Sequence, residues 1–92
     1  MYGLIVSMTT APGDRGKLIA ILNTAMNGLP GCLSHVLAKD KQDEALIWIT
    51  EVWESQEHHQ AAIQMPSVQA AIVEGRPLII GMPLRVETNP VA

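Results

Sequence analysis

Leu46-Ile47-Trp48-Ile49-Thr50-Glu51-Val52-Trp53 reads as a β-strand, a run of β-branched and aromatic residues that follows a polar loop. Side chains alternate along a strand. Ile47, Ile49, Glu51 and Trp53 therefore share one side, and Leu46, Trp48, Thr50 and Val52 share the other. Both sides are largely apolar, which a sheet with one wet face would not show. Helices of the same chain can cover the first side. The second, through Trp48, Thr50 and Val52, is expected to meet its own copy in a two-fold homodimer.

The polar run Asp40-Lys41-Gln42-Asp43-Glu44 separates this strand from a preceding one, Cys32 to Lys39, and the short link makes an antiparallel hairpin. Before it, Tyr2 to Thr9 is a strand that ends at Pro12-Gly13. From Asp14 the apolar spacing changes to three and four through Leu18, Ile21, Leu22, Ala25 and Leu29, one stripe of a helix that stops near Gly28. After Trp53, Ser55 is an N-cap with Glu57 in the first turn of a helix that Pro66 breaks and restarts. Val68, Ala71 and Ile72 continue the stripe, and Gly75-Arg76-Pro77 interrupts it ahead of a short Leu78-Ile79-Ile80 segment. Met82 to Glu87 is a last strand, and Thr88 to Ala92 a tail. The order is β-α-β-β-α-β, which predicts an α+β, ferredoxin-like fold. Right-handed crossovers put both helices on one face of a four-stranded antiparallel sheet. Residues 1–92 make one domain, with the fold in 1–87.

Composition agrees. Ninety-two residues hold one domain, and a 48% apolar content excludes a disordered chain. Only 16% of residues are charged, few for a small monomer that must keep its surface wet. The net charge is −3, and the six Lys and Arg are scattered, so no nucleic-acid footprint exists. No apolar run approaches the ~20 residues that span a bilayer, and the N-terminus lacks the basic region of a signal peptide. A single cysteine, Cys32, suits a reducing compartment, so a cytoplasmic location without membrane attachment is expected.

The ionisable inventory is short. His58 and His59 are adjacent and point about 100° apart on a helix, so they cannot chelate together. Cys32 and His35, three apart on a strand, are expected on opposite faces. No metal site is predicted, and no nucleophile elbow, P-loop or dinucleotide motif occurs. His59 falls on the apolar stripe with Ala62 and Ile63. There it is either a base toward a ligand or a core histidine bonded to a carbonyl or to Glu51. Glu51 is either a general base or histidine partner, or a strand-edge carboxylate paired with Lys or Arg. His58 is expected on the solvated flank, and Trp53, beside the helix start, is the pocket wall.

The chain resembles the antibiotic biosynthesis monooxygenase family of dimeric α/β-barrel proteins. The likeness rests on Thr9-Thr10-Ala11-Pro12-Gly13, Pro30-Gly31-Cys32-Leu33, Glu51-Val52-Trp53-Glu54-Ser55 and Gln64-Met65-Pro66-Ser67-Val68. It implies a homodimer with facing sheets and a pocket between sheet and helices in each subunit. It also implies oxygenation of a small aromatic or quinol-like ligand with no cofactor: no metal, flavin or haem. Trp53 matches the family's pocket tryptophan. Val6 stands where several members hold an asparagine, Ala62 where quinol-type members hold a histidine, and Ile63 near the haem-ligating position, so haem breakdown is not expected. The pocket is therefore expected to involve Trp53, Val6, Ile49, Ile63 and His35, with His59 and Glu51 as catalytic groups. An isomerase of small oxygenated metabolites and a non-catalytic ligand-binding dimer are the alternatives on the same fold.

Overall fold

The computed structural model describes residues 1–91. Its elements are β1 (Tyr2–Thr10), α1 (Arg15–Met26), β2 (Cys32–Lys39), β3 (Leu46–Trp53), α2 (Gln56–Ile63), α3 (Pro66–Gly75), a 3₁₀ turn at Arg76–Leu78, and β4 (Ile79–Thr88). The strands form one sheet in the order β2-β3-β1-β4, antiparallel at every pairing. This is the predicted ferredoxin-like arrangement.

Local chemistry fixes the connections. In the β2–β3 loop, Asp40 Oδ2 accepts from the backbone N–H groups of Gln42 and Asp43 at 3.1 and 2.8 Å, closing an Asx turn. Its Oδ1 accepts from the Trp48 indole at 2.9 Å, and these three donors hold the Asp40 carboxyl below the usual range, the indole first. Arg15, at the start of α1, donates to the Asp43 carbonyl at 2.8 Å and ties the helix to that loop. Ser55 caps α2 as its spacing predicts, accepting from the His58 N–H at 3.2 Å, and Pro66 opens α3. Gly31 combines φ +81° with the His58 ring lying where its Cβ would stand, so a side chain fails there on both counts.

The core lies between sheet and helices. Leu4, Val6, Leu18, Ile47, Ile49 and Trp53 are all buried. The β3 alternation holds: Ile47, Ile49, Glu51 and Trp53 are buried on the helix side, while Thr50 is exposed and Trp48 and Val52 half-buried on the other. Across that other side the register aligns Val36, Thr50, Ile5 and Val86 in one row, and Ala38, Trp48, Ser7 and Leu84 in the next. No element of the described chain covers these rows, and Val36 stays 56% exposed.

Three expectations are corrected. β1 runs one residue further, because Thr10 still pairs with Ile79 and its N–H donates to Ala45. β4 begins at Ile79 rather than Met82: register shifts on either side of the Thr9–Gly81 pair each take up one extra residue and keep the strand on β1. It also ends at Thr88, opposite Gly3, so the tail is shorter than expected, and Ala92 lies outside the described residues. Finally, Cys32 and His35 do not project to opposite faces. A bulge between Cys32 and Ser34 inserts Leu33, so Cys32 pairs with Trp53 and His35 with Glu51, both on the helix side.

Candidate active site

Beneath α2 and α3, a cavity of about 210 Å³ is walled by Met8, Leu22, Leu29, Ile63 and Val68, with three polar-bearing side chains at one end: Glu51, Trp53 and His59. β3 supplies the first two. Glu51 and Trp53 are two apart on one face, and the indole Nε1–H donates to Glu51 Oε1 at 2.8 Å. The carboxylate is 9% exposed, and Trp53 is its sole side-chain hydrogen-bond partner among the described residues. β3 is an interior strand, so the strand-edge pairing with Lys or Arg does not occur.

α2 supplies His59. The Ser55 cap sets the helix phase, which turns His59 and Ala62 inward, buried at 9% and 4% exposure, and leaves His58 outside. The His59 ring packs edge-on to Trp53, with centroids 5.3 Å apart, and tilted against Tyr2 at 5.4 Å. Its imidazole makes no hydrogen bond to any described residue, so it is not the satisfied core histidine that was the alternative. Burial pushes its pKa down. Glu51 and Glu87 act against that shift, and Arg85 adds to it. The result is a neutral ring with a free nitrogen lone pair at the wall of an apolar cavity.

Tyr2 stands behind His59 and was not foreseen. Its hydroxyl donates to Glu87 Oε2 at 2.7 Å, and Glu87 lies 3.8 Å from Arg85 and 3.5 Å from the Gln56 amide. Burial, then Glu87, raises the phenol pKa and keeps it protonated. The one available signal was the alternation Tyr2, Leu4, Val6, which turns the chain's single tyrosine inward.

The remaining expected residues separate. Ile63 lines the cavity. Val6 and Ile49 are buried on the same sheet face, paired with each other, but belong to the packed core rather than the wall. His35 lies opposite Glu51 in register and half-buried, outside the lining. His58 is on the flank, its Nδ1 2.6 Å from Ser55 Oγ and its Nε2 3.5 Å from Glu54. Among the described residues no three His, Cys, Asp or Glu side chains converge as a metal site requires. No helix of the described residues is long and apolar enough to cross a membrane.

The model of the family described as antibiotic biosynthesis monooxygenase matches residues 1–74. A crystal structure from Chloroflexus aurantiacus J-10-fl, described as a candidate antibiotic biosynthesis monooxygenase, is 53% identical. It superposes with a TM-score of 0.97 over 99% of this chain and 93% of its own. A candidate of the same description from Caulobacter crescentus CB15 is 18% identical, with a TM-score of 0.88 over 99% of this chain and 90% of its own. A Pseudomonas aeruginosa protein is 20% identical, with a TM-score of 0.85 over 99% and 94%. These last two share the fold alone. Among curated proteins, none matches. A family model over most of the chain and a half-identical relative over nearly all of it agree with the residues quoted from the sequence: the chain belongs to the antibiotic biosynthesis monooxygenase family.

Proposed function

We propose that this protein is a cofactor-independent monooxygenase acting on a small aromatic or quinol-like substrate, with His59 as the base and Glu51 as the group that receives and orients the substrate hydroxyl. The observation that carries the reading is His59 itself: a buried imidazole, its pKa pushed down, without a hydrogen-bond partner among the described residues and set beside the Glu51 carboxyl group in an apolar cavity.

A phenol ring lying in this cavity meets apolar walls and places its hydroxyl at the Glu51–His59 end. Transfer of the hydroxyl proton to His59 gives an electron-rich phenolate that can itself reduce oxygen. One oxygen atom enters the ring, so that a C–H becomes a carbonyl, and the other leaves as water with the two hydrogens lost by the substrate. The protein contributes desolvation, orientation and the proton acceptor. Trp53 fixes Glu51, and Tyr2 fixes the face of His59.

The reading includes a homodimer through the uncovered sheet face of Trp48, Thr50 and Val52. The two aligned rows across that face support it, since they place Val36, Ile5, Leu84 and Val86 beside those residues. Oxygen uptake measured against a panel of hydroquinones and naphthols tests the activity. Stoichiometric uptake with one oxygen atom from labelled O2 in the product supports it, and substrate conversion without oxygen consumption overturns it in favour of an isomerase.

A further inference from the structure

The Glu51–His59 cavity has a neighbour at its far end. A second apolar cavity, about 350 Å³, shares Met8, Leu22, Ala71 and Ile72 with it and continues between the sheet and α1 and α3. Its additional walls include Leu18, Gly75, Ile79 and Met82, and its one charged residue is Arg76 in the 3₁₀ turn. Gly75 is buried, and a Cβ there would come 3.0 Å from the Leu18 side chain.

The register gives its direction. Glu51 pairs with Leu4, whereas Met8 lies four residues along β1 and Thr10, opposite Ile79, six. At about 3.3 Å per residue, the Met8 row is roughly 13 Å from Glu51 and the Ile79 row roughly 20 Å. Protein interiors are otherwise filled to crystal density. The first chamber alone is smaller than the roughly 300–1,000 Å³ of ordinary small-molecule sites, and the addition of the second, about 350 Å³, brings the space into that class.

From this we infer that the natural ligand is amphiphilic: a hydroxylated ring at Glu51 and His59, carrying an apolar tail that passes Met8 and Ala71 into the second chamber. This deepens the proposed function and rests on it for the head of the ligand only. A ring without a tail leaves the second chamber unfilled. A tail bearing polar groups along its length meets apolar walls everywhere except at Arg76.

Calorimetric titration with phenol and with 4-propyl-, 4-hexyl- and 4-octylphenol tests the inference by binding alone. Affinity is expected to rise about three- to fourfold per methylene, at about 0.8 kcal/mol for each buried CH₂, until the chamber is full. Ile79→Trp is expected to flatten the series beyond propyl while phenol binds as before. Met82→Trp, at a more exposed wall position, is expected to do the same if the first variant folds poorly. A flat wild-type series, or a slope that both variants leave unchanged, overturns the tail chamber. Glu51→Gln is expected to weaken every member alike. A series that keeps its slope but ignores Glu51→Gln supports the chamber and overturns the head-group assignment.

Discussion

The Trp53 indole reaches Glu51 at 2.8 Å along the same face of one strand, so that a buried carboxylate and the residue that anchors it come from one tripeptide. The bond serves two ends. It satisfies a charge that burial would otherwise penalise, and it occupies Oε1. Trp53→Phe is therefore expected to destabilise the fold by about 1–3 kcal/mol, because it leaves the carboxylate without its donor. Glu51→Gln keeps an acceptor for the indole and should cost less, while it removes the charge a substrate hydroxyl would meet. Urea midpoints of the two variants check the order, and equal losses would show that the bond contributes little.

His59 ties stability to pH. Burial lowers its pKa in the folded chain, so between that value and the ordinary histidine value near 6.5 the unfolded chain holds a proton that the folded chain rejects. Stability is then complete above this window and falls as pH drops through it. Glu51 and Glu87 moderate the loss and Arg85 adds to it. His59→Gln is expected to flatten the pH dependence over a range running from neutrality to below the ordinary histidine value near 6.5. Denaturation midpoints at both ends of that range measure it, and an unchanged slope would place the titrating group elsewhere.

Much of this was legible in the sequence, for physical reasons that differ by residue. The strict period of two in β3 placed Ile47, Ile49, Glu51 and Trp53 correctly, and the Ser55 cap with its apolar stripe set the phase of α2. His59 fell inside and His58 outside as a consequence. What stayed hidden depends on pairings distant in the chain. Tyr2 meets Glu87 across 85 positions, through a β1–β4 register that no local pattern encodes. The bulge at Leu33 inverted the expected relation of Cys32 and His35, because one inserted residue changes which side every earlier side chain takes. Val6 and Ile49, expected in the pocket, lie on the helix-side face. That face is longer than the cavity, so sharing it did not make them wall residues.

The uncovered sheet face leads to an oligomerisation test. Thr50 sits at its centre, between Val36 and Ile5 in one row and beside the row of Trp48 and Leu84. Wild-type protein is expected to sediment as a dimer at micromolar concentration. Thr50→Glu should give monomers or aggregates, because it would bury two like charges near a symmetric axis. Trp48→Glu should do the same, and it also removes the indole that binds Asp40, so the Thr50 variant is the cleaner reading. Wild-type protein that sediments as a clean monomer would refute the face-to-face assembly.

Catalysis should separate the two adjacent histidines. A positioned base accounts for roughly 10²–10⁴ in rate, so His59→Ala is expected to lower turnover at least tenfold. His58→Ala should change it less than about threefold on the same scale, since its ring is engaged outside by Ser55 and Glu54. Stability must be followed in parallel, because the His59 ring also packs on Tyr2 and Trp53 and its loss removes two aromatic contacts. His59→Gln distinguishes the causes: it retains polar bulk in the pocket but cannot take up a proton near neutral pH. If the glutamine variant is stable and slow, His59 is the base. If both His59 variants are folded and fully active, proton transfer belongs to Glu51. Glu51→Gln should then show the tenfold loss instead.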